Sequence, residues 1–352
     1  MAKTSAYSVE VDQRNLARMR QILDELPSFV SDFAQSRINS TTSRTQLSYT
    51  YDIRRFLQWW RDSTPELCEG ELSAITIEDM IAVKARDLEA YMSFLREDPN
   101  NPNDRAGVAR KMAAVGALFG YLYRNDYIPA DPCAKINRPK IRKDSRIEKL
   151  SDKEVRDILH VIEHGSPSFS AHQQKYVENT RTRDLTIAIL LLETGIRVSE
   201  CEGLNIDDID MREQRLQVYR KGGKYQYLPF NDEVAHALGE YLKQREKISP
   251  SDKSHAKALF LSSQNTRMKK NAIENMISKY AAAAGISRPI SPHNLRKTYG
   301  TALYDETRDI YLVANALGHE NVSTTTKHYV TDKEDSLREV VSKVRFKSAE
   351  DE

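Results

Sequence analysis

Apolar residues recur at helical spacing through the first third of the chain, in four separate stretches. This periodicity, with the turn and capping residues between the stretches, predicts helices. The predicted helices cover residues 8–37 with a break at Pro27, 43–62 with Ser43 as N-cap, 76–97, and 104–126. Helices of this length with one apolar face each are typical of a small helical bundle.

The pattern from residue 150 onward combines helices with one small β region. Ser151 and Glu154 have the spacing of a capping box, which predicts a helix start. The alternating runs of "RLQVYRKGGKYQYLPF" flank a Gly-Gly pair and predict a β-hairpin. Helical patterns return after Pro229, with interruptions at "SPSDKSH" and "GISRPISPHN". The predicted fold class is therefore mainly α, with a helix-rich, mixed α/β second domain.

A basic stretch without apolar periodicity separates these two regions. We expect a helical domain over residues 1–136, an interdomain linker over 137–149 and a second domain over 150–352. The linker residues that we consider for DNA binding are Arg138, Lys140, Arg142 and Lys143. Such a run is commonly a solvated connector, and it can also follow a phosphate backbone. Both interpretations stand at this point.

Composition excludes several classes of protein. The chain has 352 residues, of which 30% are charged and 39% hydrophobic, and its net charge is only +2. An anionic partner must therefore be bound by local basic patches. The start lacks the apolar core of a signal peptide, and the apolar run "LTIAILLLETG" is too short to span a membrane. Three widely spaced cysteines predict neither a disulfide framework nor a metal cluster. We expect a cytoplasmic protein without a membrane partner.

Four stretches carry residues that are suited to phosphate chemistry. They are "TGIRVSE" with Arg197, "RKGGK" with Lys221 and Lys224, "SPHNLRKTYGTAL" with His293 and Arg296, and "LGHENVSTTTKHYV" with His319 and Tyr329. Singly, each has an ordinary explanation, such as an exposed lysine or a packing tyrosine. His293 and Arg296 are three residues apart, so a helix that starts at Ser291 and Pro292 places them on one face.

Together these residues form one chemical set. Two guanidinium groups can hold the oxygens of a phosphodiester in bidentate fashion. A lysine can protonate a leaving alkoxide, and a tyrosine hydroxyl can act as the nucleophile. No carboxylate cluster, "HExxH" motif or cysteine pair accompanies the histidines. The sequence therefore predicts phosphoryl transfer without a metal.

In this order, the motifs resemble those of the tyrosine recombinase (lambda-integrase) family. The resemblance covers the whole second domain, and the N-terminal helices resemble the core-binding domain of the family. It implies that the catalytic residues are Arg197, Lys221, His293, Arg296, His319 and the nucleophile Tyr329. Lys224 is a second candidate for the catalytic lysine of the hairpin, and it is also a candidate for DNA contact. The step from His319 to Tyr329 is one residue longer than is usual in the family. Tyr329 is nevertheless the only tyrosine after His319.

The resemblance implies site-specific cutting and rejoining of DNA through a 3′-phosphotyrosyl intermediate, without cofactor, metal or ATP. It implies double-stranded DNA with inverted-repeat half-sites as partner, a homodimer on one site and a homotetramer in the synapse. The C-terminal stretch "KEDSLREVVSKVRFKSAEDE" would then dock in trans on a neighbouring subunit, and packing on its own domain is the alternative. Its apolar face comprises Leu337, Val340, Val341 and Val344.

The stretch "LPSFVSDFAQSRINSTTSRTQLSYTYDIRRFLQWW" resembles, within the family, the Xer recombinases that act alone. This implies chromosome dimer resolution, and hence a role in chromosome partition and cell division. An integrase or excisionase of a phage or integrative element is the alternative. A non-catalytic DNA-binding protein would not need the complete residue set. A type IB topoisomerase shares the chemistry but is disfavoured by the separate helical domain.

Overall fold

The computed structural model describes residues 6–99, 101–137, 148–220 and 224–318. These residues form two compact units, one within residues 6–137 and one within 148–318. Each unit has its own hydrophobic core. Within the described ranges, every helix falls short of the combined length and apolar character that a bilayer crossing needs.

The N-terminal unit is a helical bundle, as the apolar periodicity predicts. Its helices are α1 Ala6–Leu23, α2 Ser28–Ser36, α3 Ser43–Ser63, α4 Ile77–Ala82, α5 Ala85–Glu97 and α6 Arg105–Arg124. Buried aromatic rings join three of them: Phe56 of α3 meets Tyr91 of α5 at 5.2 Å and Phe119 of α6 at 5.8 Å between ring centroids. Both pairs are edge-to-face, the geometry that aromatic quadrupoles favour.

The start of α3 differs by one residue from the prediction. Thr42, not Ser43, is the N-cap, because its hydroxyl accepts a hydrogen bond from the backbone N–H of Thr45 at 3.3 Å. Ser43 lies inside the first turn, where its hydroxyl donates to the carboxylate of Asp12. Both residues carry a hydroxyl, so the sequence alone did not separate the cap from its neighbour.

The helix predicted over residues 76–97 is in fact two helices. Val83 and Lys84 are extended, with ψ of 123° and 165°. The carboxylate of Asp87 accepts the backbone N–H of Lys84 at 2.8 Å and so caps a new helix, α5. Asp87 thus has the capping role of a first-turn acidic residue, which the apolar periodicity could not reveal.

In its described part, the second unit contains seven α-helices, two short 3₁₀ helices and a small sheet. The helices are α7 Asp152–His164, α8 Ala171–Thr194, α9 Val198–Gly203, α10 Asp232–Arg245, α11 Lys270–Ala283, α12 Pro292–Thr307 and α13 Ile310–Leu317. The predicted capping box starts α7: the N–H of Ser151 donates to Glu154 at 2.8 Å. Helix α8 is central, since it packs against α7, α10 and α12. The predicted mainly α fold with a small sheet is confirmed.

The sheet is antiparallel, with strand order β1 (Ile209–Asp210), β2 (Arg215–Arg220) and β3 (Lys224–Pro229). The predicted hairpin is confirmed, with Arg220 opposite Lys224 at the end that continues into the connecting residues 221–223. Leu216, Val218 and Leu228 are buried, so one face of the hairpin covers the core of the second unit. The two-residue strand β1 was not predicted, because two residues show no alternation.

Residues at the junction of the predicted linker and the predicted second domain pack on α12. The amide of Asn294 donates to the carbonyl of Glu148 at 3.1 Å, and the N–H of Leu150 donates to the hydroxyl of Thr298 at 2.8 Å. Residues 148–150 therefore belong structurally to the second unit. Residues 138–147, with all four basic linker residues, lie outside the described residues, so the proposed domain boundaries stay predictions.

Candidate active site

Arg197 is placed by the junction between α8 and α9. Helix α8 ends at Thr194, and its C-cap residue, Gly195, has a left-handed backbone with φ of 60°. A Cβ there would lie 2.3 Å from Cδ1 of Tyr299, so both backbone and space require glycine. The turn makes Arg197 the N-cap residue of α9, where its backbone N–H donates to Glu200 at 2.8 Å.

Arg296 is placed by the start of α12. The helix starts at Ser291 and Pro292 as predicted; Ser291 is the N-cap residue, and its N–H donates to the side chain of Asn294 at 2.9 Å. Arg296 follows in the next turn and is only 4% exposed. Its Nη1 donates to the carbonyl of Gly195 at 2.5 Å, and its Nη2 donates to the carbonyl of Leu317. The buried guanidinium thus joins the end of α8 to the end of α13.

Three arginines converge on the C-terminal turn of α13. The last carbonyls of a helix lack partners within the helix and form its negative end, which favours cations. Here three consecutive carbonyls each accept a hydrogen bond from a different arginine. The pairs are Arg220 with Ala316 at 2.8 Å, Arg296 with Leu317, and Arg197 with Gly318 at 2.9 Å. We name Arg197, Arg220 and Arg296 the arginine cluster.

The part of the chain that the structure describes balances the charge of this cluster only in part. The side chain of Glu200, 5% exposed, accepts a hydrogen bond from Nη1 of Arg197 at 2.8 Å. Burial lowers the pKa of the Arg220 guanidinium; Glu200 opposes this shift and Arg197 adds to it. An arginine remains protonated in proteins even so. Among the described residues, three guanidinium groups lie beside the carboxylate of Glu200 and leave a positive site, and guanidinium groups bind phosphate oxygens well.

The structure brings together two of the predicted residues, Arg197 and Arg296. His293 lies one turn before Arg296 on α12, as expected, and its side chain is exposed. Three predicted catalytic residues lie outside the described residues: Lys221, His319 and Tyr329. The four linker residues Arg138, Lys140, Arg142 and Lys143 do so too, and of Lys224 only the backbone, at the start of β3, is described. Their assigned roles stay predictions.

Two residues of the site were missed by sequence reasoning. Glu200 follows Arg197 by three residues in "TGIRVSE", a capping spacing that could have identified it. Arg220 ends an alternating strand, and only the register of that strand decides whether its side chain is buried. In the structure, Arg220 and Gly318 are in contact, since a Cβ at Gly318 would lie 1.4 Å from Nη1 of Arg220. These two residues directly precede Lys221 and His319 in the sequence.

A second tyrosine, Tyr299, lies beside the arginine cluster. Its ring packs against Gly195. Burial raises the pKa of its hydroxyl, and Glu193 raises it further, while Arg220 opposes the shift. A phenol whose pKa is raised forms its anion less readily, so Tyr299 is poorly suited to be a nucleophile.

Sequence comparison connects this site with known proteins. The sequence model of the Phage integrase family matches residues 148–335. The chain is 31% identical over 328 residues to "Tyrosine recombinase XerC" of Caldanaerobacter subterraneus subsp. tengcongensis, covering 90% of this chain and 86% of that protein. It is 28% identical over 347 residues to "Tyrosine recombinase XerS" of Streptococcus agalactiae, covering 91% of this chain and 96% of that protein.

Solved structures with the same fold include two recombinases in complex with DNA. One is the XerH site-specific recombinase bound to palindromic difH substrate, in a post-cleavage complex, with a TM-score of 0.65 and 20% identity over 94% of this chain and 88% of that chain. The other is the Tn1549 transposon integrase with circular intermediate DNA, with a TM-score of 0.65 and 19% identity over 90% of this chain and 99% of that chain. At this identity the likeness establishes the fold.

Proposed function

We propose a mechanism and a cellular role from one premise: the chain belongs to the phage integrase family and is a tyrosine recombinase that cuts and rejoins DNA. The relatives named XerC and XerS support the role, which we propose to be Xer-type, site-specific recombination for chromosome dimer resolution. Chromosomal DNA as substrate would place the protein in the cytoplasm. Action without a second recombinase is part of the proposal. If the protein instead acts as the integrase of a phage or mobile element, the DNA site differs and the chemistry is the same.

One observation carries the proposed mechanism. Arg197 and Arg296, far apart in the sequence, donate to the neighbouring carbonyls of Gly318 and Leu317. Two predicted phosphate-binding groups therefore lie side by side, directly before His319 in the chain. This arrangement supports a phosphate clamp, in which guanidinium groups hold the non-bridging oxygens of the phosphodiester that is cut.

The proposed reaction conserves the number of phosphate ester bonds. The hydroxyl oxygen of Tyr329 attacks the phosphorus, and the bond from phosphorus to the 5′ oxygen breaks. Lys221 donates a proton to this leaving oxygen, while His293 and His319 orient the phosphate and accept the tyrosine proton. A 5′-hydroxyl of the partner strand then attacks the 3′-phosphotyrosyl bond and releases Tyr329. No ATP is needed, because each broken ester bond is replaced by another.

The first test of this function is DNA cleavage without a metal ion or ATP. Duplex DNA recovered from a random pool by binding to the protein is incubated with it in excess EDTA. We expect a protein–DNA adduct that resists denaturant, together with a 5′-hydroxyl end that a polynucleotide kinase labels directly. The reason is that Arg197 and Arg296 can neutralise the developing charge on the phosphate. An adduct that forms only after magnesium or zinc is added contradicts the mechanism.

We also propose that the basic linker contacts DNA phosphates. Each lost phosphate contact lowers the slope of log affinity against log salt by about 0.9. A variant with glutamine at Arg138, Lys140, Arg142 and Lys143 should therefore show a clearly flatter slope than the unmodified chain. Its matched control has glutamine at four exposed basic residues elsewhere: Arg14, Lys153, Arg212 and Lys243. Equal slopes for the two variants would make the linker a plain connector.

Assembly on DNA is the last part of the proposal: a homodimer on one site of two inverted half-sites and a homotetramer in the synapse. Helix α13 supports it, because Tyr311 is 71% and Leu312 45% exposed, while Val313 and Leu317 are buried. The outward apolar face of α13 could receive the apolar face of the C-terminal stretch of a neighbouring copy. An exposed apolar patch commonly marks a surface that becomes buried on assembly.

A further inference from the structure

Arg220 occupies the point where the β2–β3 hairpin meets the active site. It is the last residue of β2, lies opposite Lys224 in the register, and directly precedes Lys221. Its side chain is buried, with the residue only 7% exposed. A charged side chain is seldom buried this deeply at the end of a strand unless a contact holds it there.

Side chains from both strands fasten the hairpin to the C-terminal turn of α13. From β2, Nη2 of Arg220 donates to the carbonyl of Ala316 at 2.8 Å, and the guanidinium packs against Gly318. From β3, Nε2 of Gln226 donates to the carbonyl of Asn315 at 3.1 Å. The end of β2 is therefore held against the turn that leads into His319.

This anchoring contact is a costly one. Nε and Nη1 of Arg220 are buried and have no hydrogen-bond partner among the described residues. Burying unpaired donors of a charged group opposes folding. Arg197, a second cation of the cluster, also lies close enough to lower the pKa of Arg220. Stability alone does not explain this arrangement, whereas a functional requirement for the position of the hairpin does.

We propose that Arg220 is a positioning residue for proton transfer to the leaving 5′ oxygen. It fixes the backbone that continues into Lys221 against the turn of α13 that continues into His319. The inference rests on the proposed role of Lys221 as general acid. Without Arg220, Lys221 is still present but is no longer held in position for proton transfer. A displacement of about 1 Å can reduce a rate on the order of 10²-fold.

The test uses two substrates that differ in one atom. One is the selected duplex, and the other has sulfur in place of the 5′ bridging oxygen at the cleaved phosphate. A thiol with a pKa of about 8.5 leaves without being protonated, so cleavage of the second substrate does not need a general acid. The rate of adduct formation in a single turnover is measured for Arg220→Gln, Lys221→Ala, the double variant and the control Arg215→Gln. Arg215, at the other end of β2, is 44% exposed in its side chain.

We expect Arg220→Gln to be on the order of 10²-fold slower than the unmodified chain on oxygen and nearly as fast on sulfur. Lys221→Ala should show a larger defect on oxygen and the same rescue by sulfur. The double variant should be no slower than Lys221→Ala alone, because both changes act on one step. Arg215→Gln should match the unmodified chain on both substrates.

Two results would overturn parts of this account separately. If sulfur does not rescue Lys221→Ala, the proposed general acid is wrong, and the positioning role of Arg220 falls with it. If sulfur rescues Lys221→Ala while Arg220→Gln is equally slow on both substrates, Arg220 contacts the phosphate or only supports the fold. Thermal melting is followed in parallel, and Arg220→Lys replaces Arg220→Gln if the latter does not fold. The lysine keeps the charge but lacks the guanidinium fork, so the same oxygen-specific defect is expected.

Discussion

The Tyr329→Phe variant is expected to bind selected DNA with unchanged affinity and to form no covalent adduct with it. Phenylalanine removes only the hydroxyl, so the surface that binds DNA is kept while the nucleophile is lost. Affinity is measured by gel shift, and the adduct by electrophoresis under denaturing conditions. This is the largest of the expected effects, because the covalent step needs a nucleophile. Groups that only stabilise charge cannot replace it.

The matched control is Tyr299→Phe. Tyr299 packs beside the arginine cluster, and burial raises the pKa of its hydroxyl. We therefore expect this variant to form the adduct at nearly the rate of the unmodified chain. Adduct formation by Tyr329→Phe, together with its loss in Tyr299→Phe, would move the nucleophile from the C-terminal motif to α12.

Truncation after Asp332 is expected to abolish recombination without unfolding the protein. The removed stretch carries the apolar face of Leu337, Val340, Val341 and Val344. Fully burying each such side chain stabilises by roughly 1.5–3 kcal/mol. If the stretch packed on its own domain, its loss would lower the melting temperature by ten degrees or more, at about 2–4 °C per kcal/mol for a domain of this size. Docking in trans predicts a nearly unchanged melting temperature for the monomer.

The truncated protein should still bind one half-site and should lose cooperative occupation of paired half-sites. A single substitution tests the same contact: Val341→Asp should behave like the truncation, whereas Ser342→Asp, outside the apolar face, should recombine normally. Tyr311→Asp, on the exposed face of α13, should reproduce the Val341→Asp defect if that face receives the stretch. A large drop in melting temperature, with cooperative binding to paired half-sites intact, would show that the stretch packs on its own domain.

Local signals in the sequence predicted most of the architecture. The apolar periodicity located α6, the alternation located the hairpin, and the capping box located the start of α7. These features depend on interactions within a few residues of each other. The incorrect prediction of one continuous helix across Val83 and Lys84 also results from reliance on local patterns. The apolar spacing continues across this break, and only the carboxylate of Asp87 marks the new helix start.

The members of the site were partly predictable, and their arrangement was not. Arg197 and Arg296 belong to recognisable motifs, so the sequence identified them. Their convergence on consecutive carbonyls depends on how α8, α12 and α13 pack, which no local pattern encodes. Arg220 was missed because its burial follows from strand register and from its contact with α13.

The most direct test of the central claim is to identify the amino acid that becomes linked to DNA. The adduct formed in EDTA is digested with nuclease and trypsin, and the modified peptide is sequenced by mass spectrometry. The account predicts a nucleotide joined through its 3′ phosphate to Tyr329, in the peptide of residues 328–333. A nucleotide on Tyr299 or on a serine, or one joined through its 5′ phosphate, would contradict it.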